Sequence, residues 1–268
     1  MKPPMPYAGG KQRLADRIVT LMPDHLHYVE PFAGALAVLL AKPASRIETV
    51  NDLDGEIVTF WRVLRDDPQA LHRMCVLTPH CRDLYMESRA TGQGGTDVEI
   101  AHRVWVRLTQ GRGSRSNGTS GWRFVQGGTT RHSLARYLDG YCDRLIDAAE
   151  RLRMVSIEHM DALRLIASYD RAETLFYIDP PYLDTTRYAG MYTVEMGTPM
   201  QHSDLLHVLK TCTGKIILSG YRSELYDVEL ADWTRIDLDT TCMTGTPRTE
   251  SLWLNYQPPT LFTGGLPE

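Results

Sequence analysis

Phe176-Tyr177-Ile178-Asp179-Pro180-Pro181-Tyr182-Leu183 is the stretch on which the fold turns. Leu175 to Ile178 is apolar without alternation, the pattern of a strand with both faces covered in a parallel sheet. Two prolines follow, and neither can continue a central ladder, because each fixes φ and lacks an N–H. The expectation is a stiff loop at the carboxyl end of a buried strand, where open α/β sheets place their ligands. That loop offers one carboxylate, one aromatic ring and carbonyls that no ladder uses. Asp179 and the Pro180 carbonyl can accept two N–H bonds, and Tyr182 offers a stacking face. Together they suit a planar ring that bears an amino group. The bland alternative is a proline-rich turn with Tyr182 as core filler, and other stretches have to decide between the two.

Working outward, the chain alternates strand and helix on both sides of this point. His27 to Glu30 reads as a first strand, followed by Pro31-Phe32-Ala33-Gly34-Ala35 and a helix from Leu36 to Leu40. A strand, a small-residue turn and a helix start make a pocket for a polar cofactor. Arg46 to Val50 reads as a second strand, ending at Asn51-Asp52-Leu53-Asp54. An acid at that position is where α/β nucleotide sites hold ribose hydroxyls, and N-capping of a helix from Gly55 to Leu64 is the competing use. Upstream, Tyr7-Ala8-Gly9-Gly10-Lys11 precedes a short amphipathic helix that Pro23 ends. Its glycines permit a sharp turn or close approach to a ligand.

Downstream of Asp66-Asp67-Pro68 the texture changes, and Pro68 to Arg151 reads as helical with a polar interruption. From Ala101 to Tyr137 there are seven arginines and no Asp or Glu. Since the whole chain carries a net charge of −4, this segregation is what one patch for a polyanion requires. Within it, Arg112, Arg115, Asn117 and Arg123 fall on a Gly/Ser-rich loop with Trp122 and Phe124, parts suited to contacting phosphates and bases. Arg103, Arg107 and Arg136 fall in helical patterns, where exposed helix positions or phosphate clamps are expected. The sheet then resumes with Met154 to Ile157, a helix from Ala162 to Ser168 behind Asp161, and the Leu175 strand. Thr185 to Pro199 is a candidate lid. Met200 to Thr211, Lys215 to Ser219 and Glu224 to Glu229 read as helix, strand and helix, and Trp233 to Leu238 with Thr249 to Tyr256 as a closing hairpin.

The 268 residues fit one α/β domain with an insertion. The longest apolar run, Ala35 to Ala41, is far too short to span a bilayer. Met1-Lys2-Pro3-Pro4 lacks the apolar core of a signal peptide. Five irregularly spaced cysteines with no CxxC pair suit reduced thiols in the cytoplasm, with neither a disulfide frame nor a metal site.

With these pieces placed, the sequence resembles the Dam-like DNA adenine methyltransferases, in that family's motif order. Tyr7-Ala8-Gly9-Gly10-Lys11 is similar to its N-terminal cofactor motif, Glu30-Pro31-Phe32-Ala33-Gly34-Ala35 to its methionine-side loop, and Asp52 to its ribose acid. Asp161 is similar to the acid near the cofactor's adenine. Asp179-Pro180-Pro181-Tyr182 matches the catalytic motif, and Leu218-Ser219-Gly220-Tyr221 and Arg248 to Asn255 match later strand motifs. Two departures stand out: the family often has a second glycine where this chain has Ala35 or Leu36, and often an aromatic other than tyrosine at position 7.

The resemblance implies a Rossmann-like class I methyltransferase sheet, residues 1–66 and 152–257, with a helical target-recognition insert at 67–151 and a tail from 258. It implies S-adenosylmethionine as cofactor, held by Tyr7, Gly10, Lys11, Glu30, Phe32, Gly34, Asp52, Leu53, Asp161 and Asp179. It implies catalysis by Asp179, Pro180 and Tyr182 on the amine of a flipped-out adenine in double-stranded DNA. No metal or covalent enzyme intermediate is required. A monomer is expected, with a dimer on DNA as the alternative. The rival readings are a methyltransferase acting on RNA or a protein amide, and a catalytically silent DNA-binding module.

Overall fold

A computed structural model of the chain describes residues 1–124, 134–183, 191–241 and 247–259. Part of the expected lid (185–190), Arg131, Cys242 and the tail from 260 lie outside the described residues.

Seven strands form one sheet in the order β3-β2-β1-β4-β5-β7-β6. They are β1 (His27–Glu30), β2 (Ile47–Asn51), β3 (Val155–Glu158), β4 (Thr174–Ile178), β5 (Lys215–Gly220), β6 (Thr234–Thr241) and β7 (Pro247–Leu254). The first five run parallel, and β7 enters antiparallel between β5 and β6. All five residues of β4 are buried, as the unbroken apolar run requires. β1 pairs with β2 on one side and β4 on the other. The chain winds outward in one direction through β2 and β3 and in the other through β4 and β5. The switch point therefore lies between the carboxyl ends of β1 and β4, where such sheets leave a crevice.

The two-residue period of the strands sorts the core. Tyr28, Leu175, Tyr177, Ile217, Leu252 and Leu254 point to one face and Val29, Phe176, Ile178, Ile216, Leu218 and Trp253 to the other. The first face is covered by α1 (Ala15–Val19), α2 (Ala37–Ala41), α3 (Gly55–Asp66) and an all-helical insert between α3 and β3. That insert comprises α4 (Pro68–Val76), α5 (Arg82–Ser88), α6 (Asp97–Gln110), α7 (Leu134–Cys142) and α8 (Leu145–Leu152). The second face is covered by α9 (Ala162–Tyr169), α10 (Pro199–Thr211) and α11 (Glu224–Glu229).

The insert shares its core with the sheet. Leu71, Val104, Trp105 and Leu145 join one cluster with Phe60, Trp61, Tyr28 and Leu175. Trp105 also donates its indole N–H to the Pro4 carbonyl at 3.2 Å. Sequence periodicity starts α6 at Ala101, but Thr96 and Glu99 form a capping box and set the start at Asp97. The expected single helix from His132 to Glu150 is two, α7 and α8, separated at Asp143 and Arg144.

Candidate active site

Four loops meet at the switch point and enclose a solvent-open pocket of about 640 Å³, lined by residues 7–11, Glu30, Phe32 to Val38, Asp52, Asp54, Tyr177, Asp179, Pro181, Tyr192 and Val194. Gly34 sits at φ 45°, and a Cβ there would stand 3.1 Å from the Tyr7 ring, so that ring and the loop approach closely only because position 34 is glycine. Leu36, the N-cap of α2, also adopts a left-handed conformation, with φ 52°. This is one of the two positions where the family often carries glycine. Here a fully buried leucine takes that backbone conformation instead, at a cost of about 1–2 kcal/mol.

Asp52 ties two of the loops together. Its Oδ2 accepts the Gly34 N–H at 3.0 Å and its Oδ1 the Asp54 N–H at 2.9 Å. Burial is the largest influence on its carboxyl, which is pushed up to about 6. The rival capping role falls to Asp54, which accepts the Glu56 N–H at 3.0 Å at the start of α3. Glu30, at the end of β1, is buried and accepts the Tyr28 hydroxyl at 2.8 Å. Burial, with Asp179 nearby, pushes its carboxyl up to about 8. Among the described residues, no cation forms an ion pair with Glu30 or Asp52.

Lys11 crosses from the first loop to the Asp179-Pro180-Pro181-Tyr182 loop. Its ammonium donates to Asp179 Oδ1 at 2.8 Å and Oδ2 at 2.9 Å, and to the Gly9 carbonyl at 2.9 Å. It lies 3.7 Å from Glu250. Burial works against its charge, but Asp179 and Glu250 outweigh that and hold the pKa above the ordinary lysine value. Tyr182 donates its hydroxyl to Glu250 Oε1 at 2.5 Å and to Asp179 Oδ1 at 3.1 Å, with the Lys11 ammonium 4.9 Å from its ring centre. The loop is also anchored from behind. Buried His202 on α10 places Nε2 at 2.8 Å from the Met196 carbonyl and 3.1 Å from that of Pro181. His202 Nδ1 lies 2.7 Å from the Tyr226 hydroxyl. This arrangement requires the proton on Nε2, with Tyr226 donating to Nδ1.

The expected residues thus divide. Tyr7, Gly10, Lys11, Glu30, Phe32, Gly34, Asp52 and Asp179 line the pocket. Leu53 and Asp161 lie outside its lining. Leu53 is 48% exposed, and exposed Asp161 caps α9 by accepting the Arg164 N–H at 3.1 Å. The cofactor-binding role of Leu53, and that of Asp161 near the cofactor's adenine, rest on the resemblance alone.

The arginine-rich run divides as well. The loop from Gly111 to Trp122 is not an open, solvated one. Gly111 and Trp122 form an antiparallel bridge at its base, and Ser114, Ser116, Gly118 and Ser120 are buried. The Ser114 carbonyl accepts the Ala8 N–H at 3.0 Å, and the Ser116 hydroxyl accepts the Thr193 N–H at 3.0 Å, so the loop is fastened to the cofactor motif.

Arg107 is fully buried, paired with Glu56 of α3 at 2.5 Å and donating to the Ser88 carbonyl at 3.0 Å. The exposed position expected for it is therefore wrong. Its charge is retained because a carboxylate meets it inside the fold. Arg103, a candidate phosphate clamp, donates to the Gln93 and Gly94 carbonyls at 2.9 and 3.0 Å. Arg123, a candidate base reader, donates to the Gly111 carbonyl at 3.1 Å and lies 4.8 Å from the Tyr137 ring. Asn117 turns its Oδ1 onto the Thr119 N–H and hydroxyl at 3.1 and 2.8 Å, and Arg115 reaches the Thr119 hydroxyl at 3.4 Å. Arg112 is exposed, 4.4 Å from the Phe124 ring, and Arg136 is exposed on α7.

Arg82 escaped the sequence reading because it lies outside the acid-free run. It is exposed at the start of α5, with its guanidinium 4.8 Å from the Trp122 ring. Trp122 stacks on His80 at 4.5 Å and on Phe124 at 6.0 Å. Two guanidinium groups thus flank one aromatic ladder.

A Rossmann-like sheet with β7 reversed, carrying an Asp-Pro-Pro-Tyr loop beside a switch-point pocket, defines a methyltransferase. The model of the D12 class N6 adenine-specific DNA methyltransferases matches residues 7–238, and the chain belongs to that family. It is 30% identical over 118 residues to the type II methyltransferase M1.LlaDCHI of Lactococcus lactis subsp. cremoris, covering 40% of each chain. It is 25% identical over 200 residues to a DNA adenine methylase of Vibrio cholerae, covering 69% of this chain and 68% of that one. The match thus spans well under half of the Lactococcus relative's length. Among solved structures, a methyltransferase from Geobacter sulfurreducens aligns over 94% of this chain and 80% of its own, with 10% identity and a TM-score of 0.39.

Among the described residues no helix is long and apolar enough to cross a membrane, and no group of three or more His, Cys, Asp or Glu side chains is placed to hold a metal ion.

Proposed function

We propose that the protein transfers a methyl group from S-adenosylmethionine to the exocyclic amine of adenine in double-stranded DNA. The observation that carries this reading is the Asp179 carboxylate, fixed by the Lys11 ammonium at 2.8 Å in a proline-stiffened loop at the rim of the switch-point pocket.

The pocket's donor set fits the cofactor. Two acids, Glu30 and Asp52, face a space with no cation paired to them among the described residues, and the cofactor brings positive charge and a ribose diol. Asp52 would hold the ribose hydroxyls, and Glu30 the ammonium end. Gly10 and Gly34 let the backbone come close. S-adenosylmethionine supplies an electrophilic methyl on a sulfonium centre.

The chain's own part is to orient the nucleophile. The adenine amine is a poor one, because its lone pair is conjugated into the ring, and it is out of reach inside a duplex, so the base has to leave the stack. A carboxylate has about four acceptor positions; on Asp179 Lys11 takes two, and the Tyr182 oxygen, whose proton goes mainly to Glu250, stands over a third at 3.1 Å. The remaining one takes an amine hydrogen, and the Pro180 carbonyl takes the second. Both bonds favour a pyramidal nitrogen whose lone pair points into the pocket, and Tyr182 stacks on the base. Positioning and fixed dipoles supply most of the rate. On the DNA side, exposed Arg82 and Arg112, beside the Trp122 and Phe124 rings, are the guanidinium groups proposed to meet the duplex, together with Arg136 of α7 and Arg115 and Asn117 of the loop.

The test is to incubate the protein with labelled S-adenosylmethionine and, separately, unmethylated DNA, RNA and a glutamine-containing protein, then digest each to its monomers. Label in N6-methyl-2'-deoxyadenosine from DNA is expected. Label confined to RNA or to glutamine would replace this reading with the corresponding rival, and no label anywhere would favour a silent DNA-binding module.

A further inference from the structure

Glu250 lies near the start of β7, at the catalytic end of the sheet. The period-2 alternation puts it in line with Leu252 and Leu254, on the face that also carries Ile217 and Ser219 of β5. It is 3% exposed. A carboxylate buried there is costly unless it is hydrogen-bonded, and Oε1 carries two such bonds. Oε1 accepts the Tyr182 hydroxyl at 2.5 Å and the Ser219 hydroxyl at 2.6 Å, with the Lys11 ammonium at 3.7 Å. Glu250 does not line the cofactor pocket. These three contacts come from the Asp-Pro-Pro-Tyr loop, from the lysine that clamps that loop and from the adjacent end of β5.

We propose that Glu250 is a positioning residue for methyl transfer, fixing the Tyr182 ring beside Asp179 through the phenol hydroxyl. This rests on the stacking role given to Tyr182 above. Pro180 and Pro181 stiffen the loop backbone, but they leave the tyrosine side chain two torsions of its own. The hydroxyl bond to a strand residue removes that freedom before the base arrives. The loop is thereby gripped at two points, its backbone by His202 and its ring by Glu250. Reach, more than charge, is what this role requires of position 250, because Asp179 already balances Lys11.

The experiment measures single-turnover methylation of unmethylated plasmid DNA by Glu250→Gln, Glu250→Asp, Tyr182→Phe, Tyr182→Ala and the double variant Glu250→Asp/Tyr182→Phe. Cofactor affinity is measured by calorimetry. Gln keeps an acceptor at full length and should retain the rate within about threefold. Asp keeps the charge but is one methylene short, and should slow the reaction by about tenfold, with cofactor affinity unchanged within about threefold. In the Tyr182→Phe background the Asp substitution should add less than about threefold, because the hydroxyl it acts through is gone.

A Gln variant as slow as Asp, an Asp variant as fast as wild type, or losses that multiply in the double variant would each overturn the proposal. If Tyr182→Ala itself kept the wild-type rate, the stacking role would fall, and the role of Glu250 with it. If Tyr182→Ala is slow while Glu250→Asp is not, only the role of Glu250 falls.

Discussion

At the scale of single residues, the pocket's two acids carry a pH dependence with a definite sign. Burial raises the carboxyls of Asp52 and Glu30 to about 6 and about 8. A carboxyl whose pKa is higher folded than unfolded stays protonated in the fold after the unfolded chain has lost its proton. Its contribution to stability is therefore fully present below the unfolded value and is lost as pH rises through the folded one. The cofactor-free protein should lose stability between about pH 4 and pH 8. A ligand that brings positive charge and ribose hydroxyls favours the ionised acids. Calorimetry should therefore show S-adenosylmethionine binding tighten as pH rises through about 6, with proton release. In Asp52→Asn the step near pH 6 should vanish and affinity should fall, a lost charge-assisted bond costing about 1.5–3 kcal/mol. A wild-type affinity that is flat over this range would remove Asp52 from the ribose role. Tyr182→Phe should slow methylation less than Tyr182→Ala, since the ring is kept and only its pin is lost.

At the scale of elements, the acid-free arginine run behaves as two populations, and substitution should separate them. Arg107 is buried against Glu56. Arg107→Ala strands a carboxylate and should destabilise the protein by about 3–5 kcal/mol in urea unfolding. Arg112 and Arg82 are exposed, and their alanine variants should leave stability within about 0.5 kcal/mol of wild type. Both should weaken DNA binding. A lost phosphate contact lowers the slope of log K against log salt by about 0.9, and a lost base contact relaxes sequence preference while leaving the slope in place. Wild-type affinity, preference and slope in both variants would remove the aromatic ladder from the DNA interface. Composition located this run but could not sort it, because the partners lie far away in sequence. Arg107 meets Glu56 across 51 positions, and Arg82 meets Trp122 across 40. The loop between Gly111 and Trp122 misled for the same reason. Its glycines and serines look flexible in sequence, yet they are packed, with Gly118 against the Arg89 backbone.

At the scale of the whole molecule, the alternating strand and helix pattern and the Asp-Pro-Pro-Tyr stop were enough to place the sheet. The parallel strands are short apolar runs, but several strand orders contain a switch point, and only the fold shows which one is used. The lines of contact that cross the sheet were hidden. Glu250 read as one residue of a closing strand, and nothing local marks it as the partner of Tyr182, 68 positions away. Lys11 and Asp179, 168 positions apart, were each singled out, but only the fold shows that the one clamps the other. That clamp is the centre of the account, and one measurement tests it most directly. Asp179→Ala is compared with wild type for single-turnover transfer of label from S-adenosylmethionine to DNA, while DNA binding and thermal unfolding are followed in parallel. The account predicts a folded variant that binds DNA and has lost nearly all transfer. A folded, DNA-binding variant slowed by less than about tenfold, roughly 1.4 kcal/mol of barrier, would contradict it.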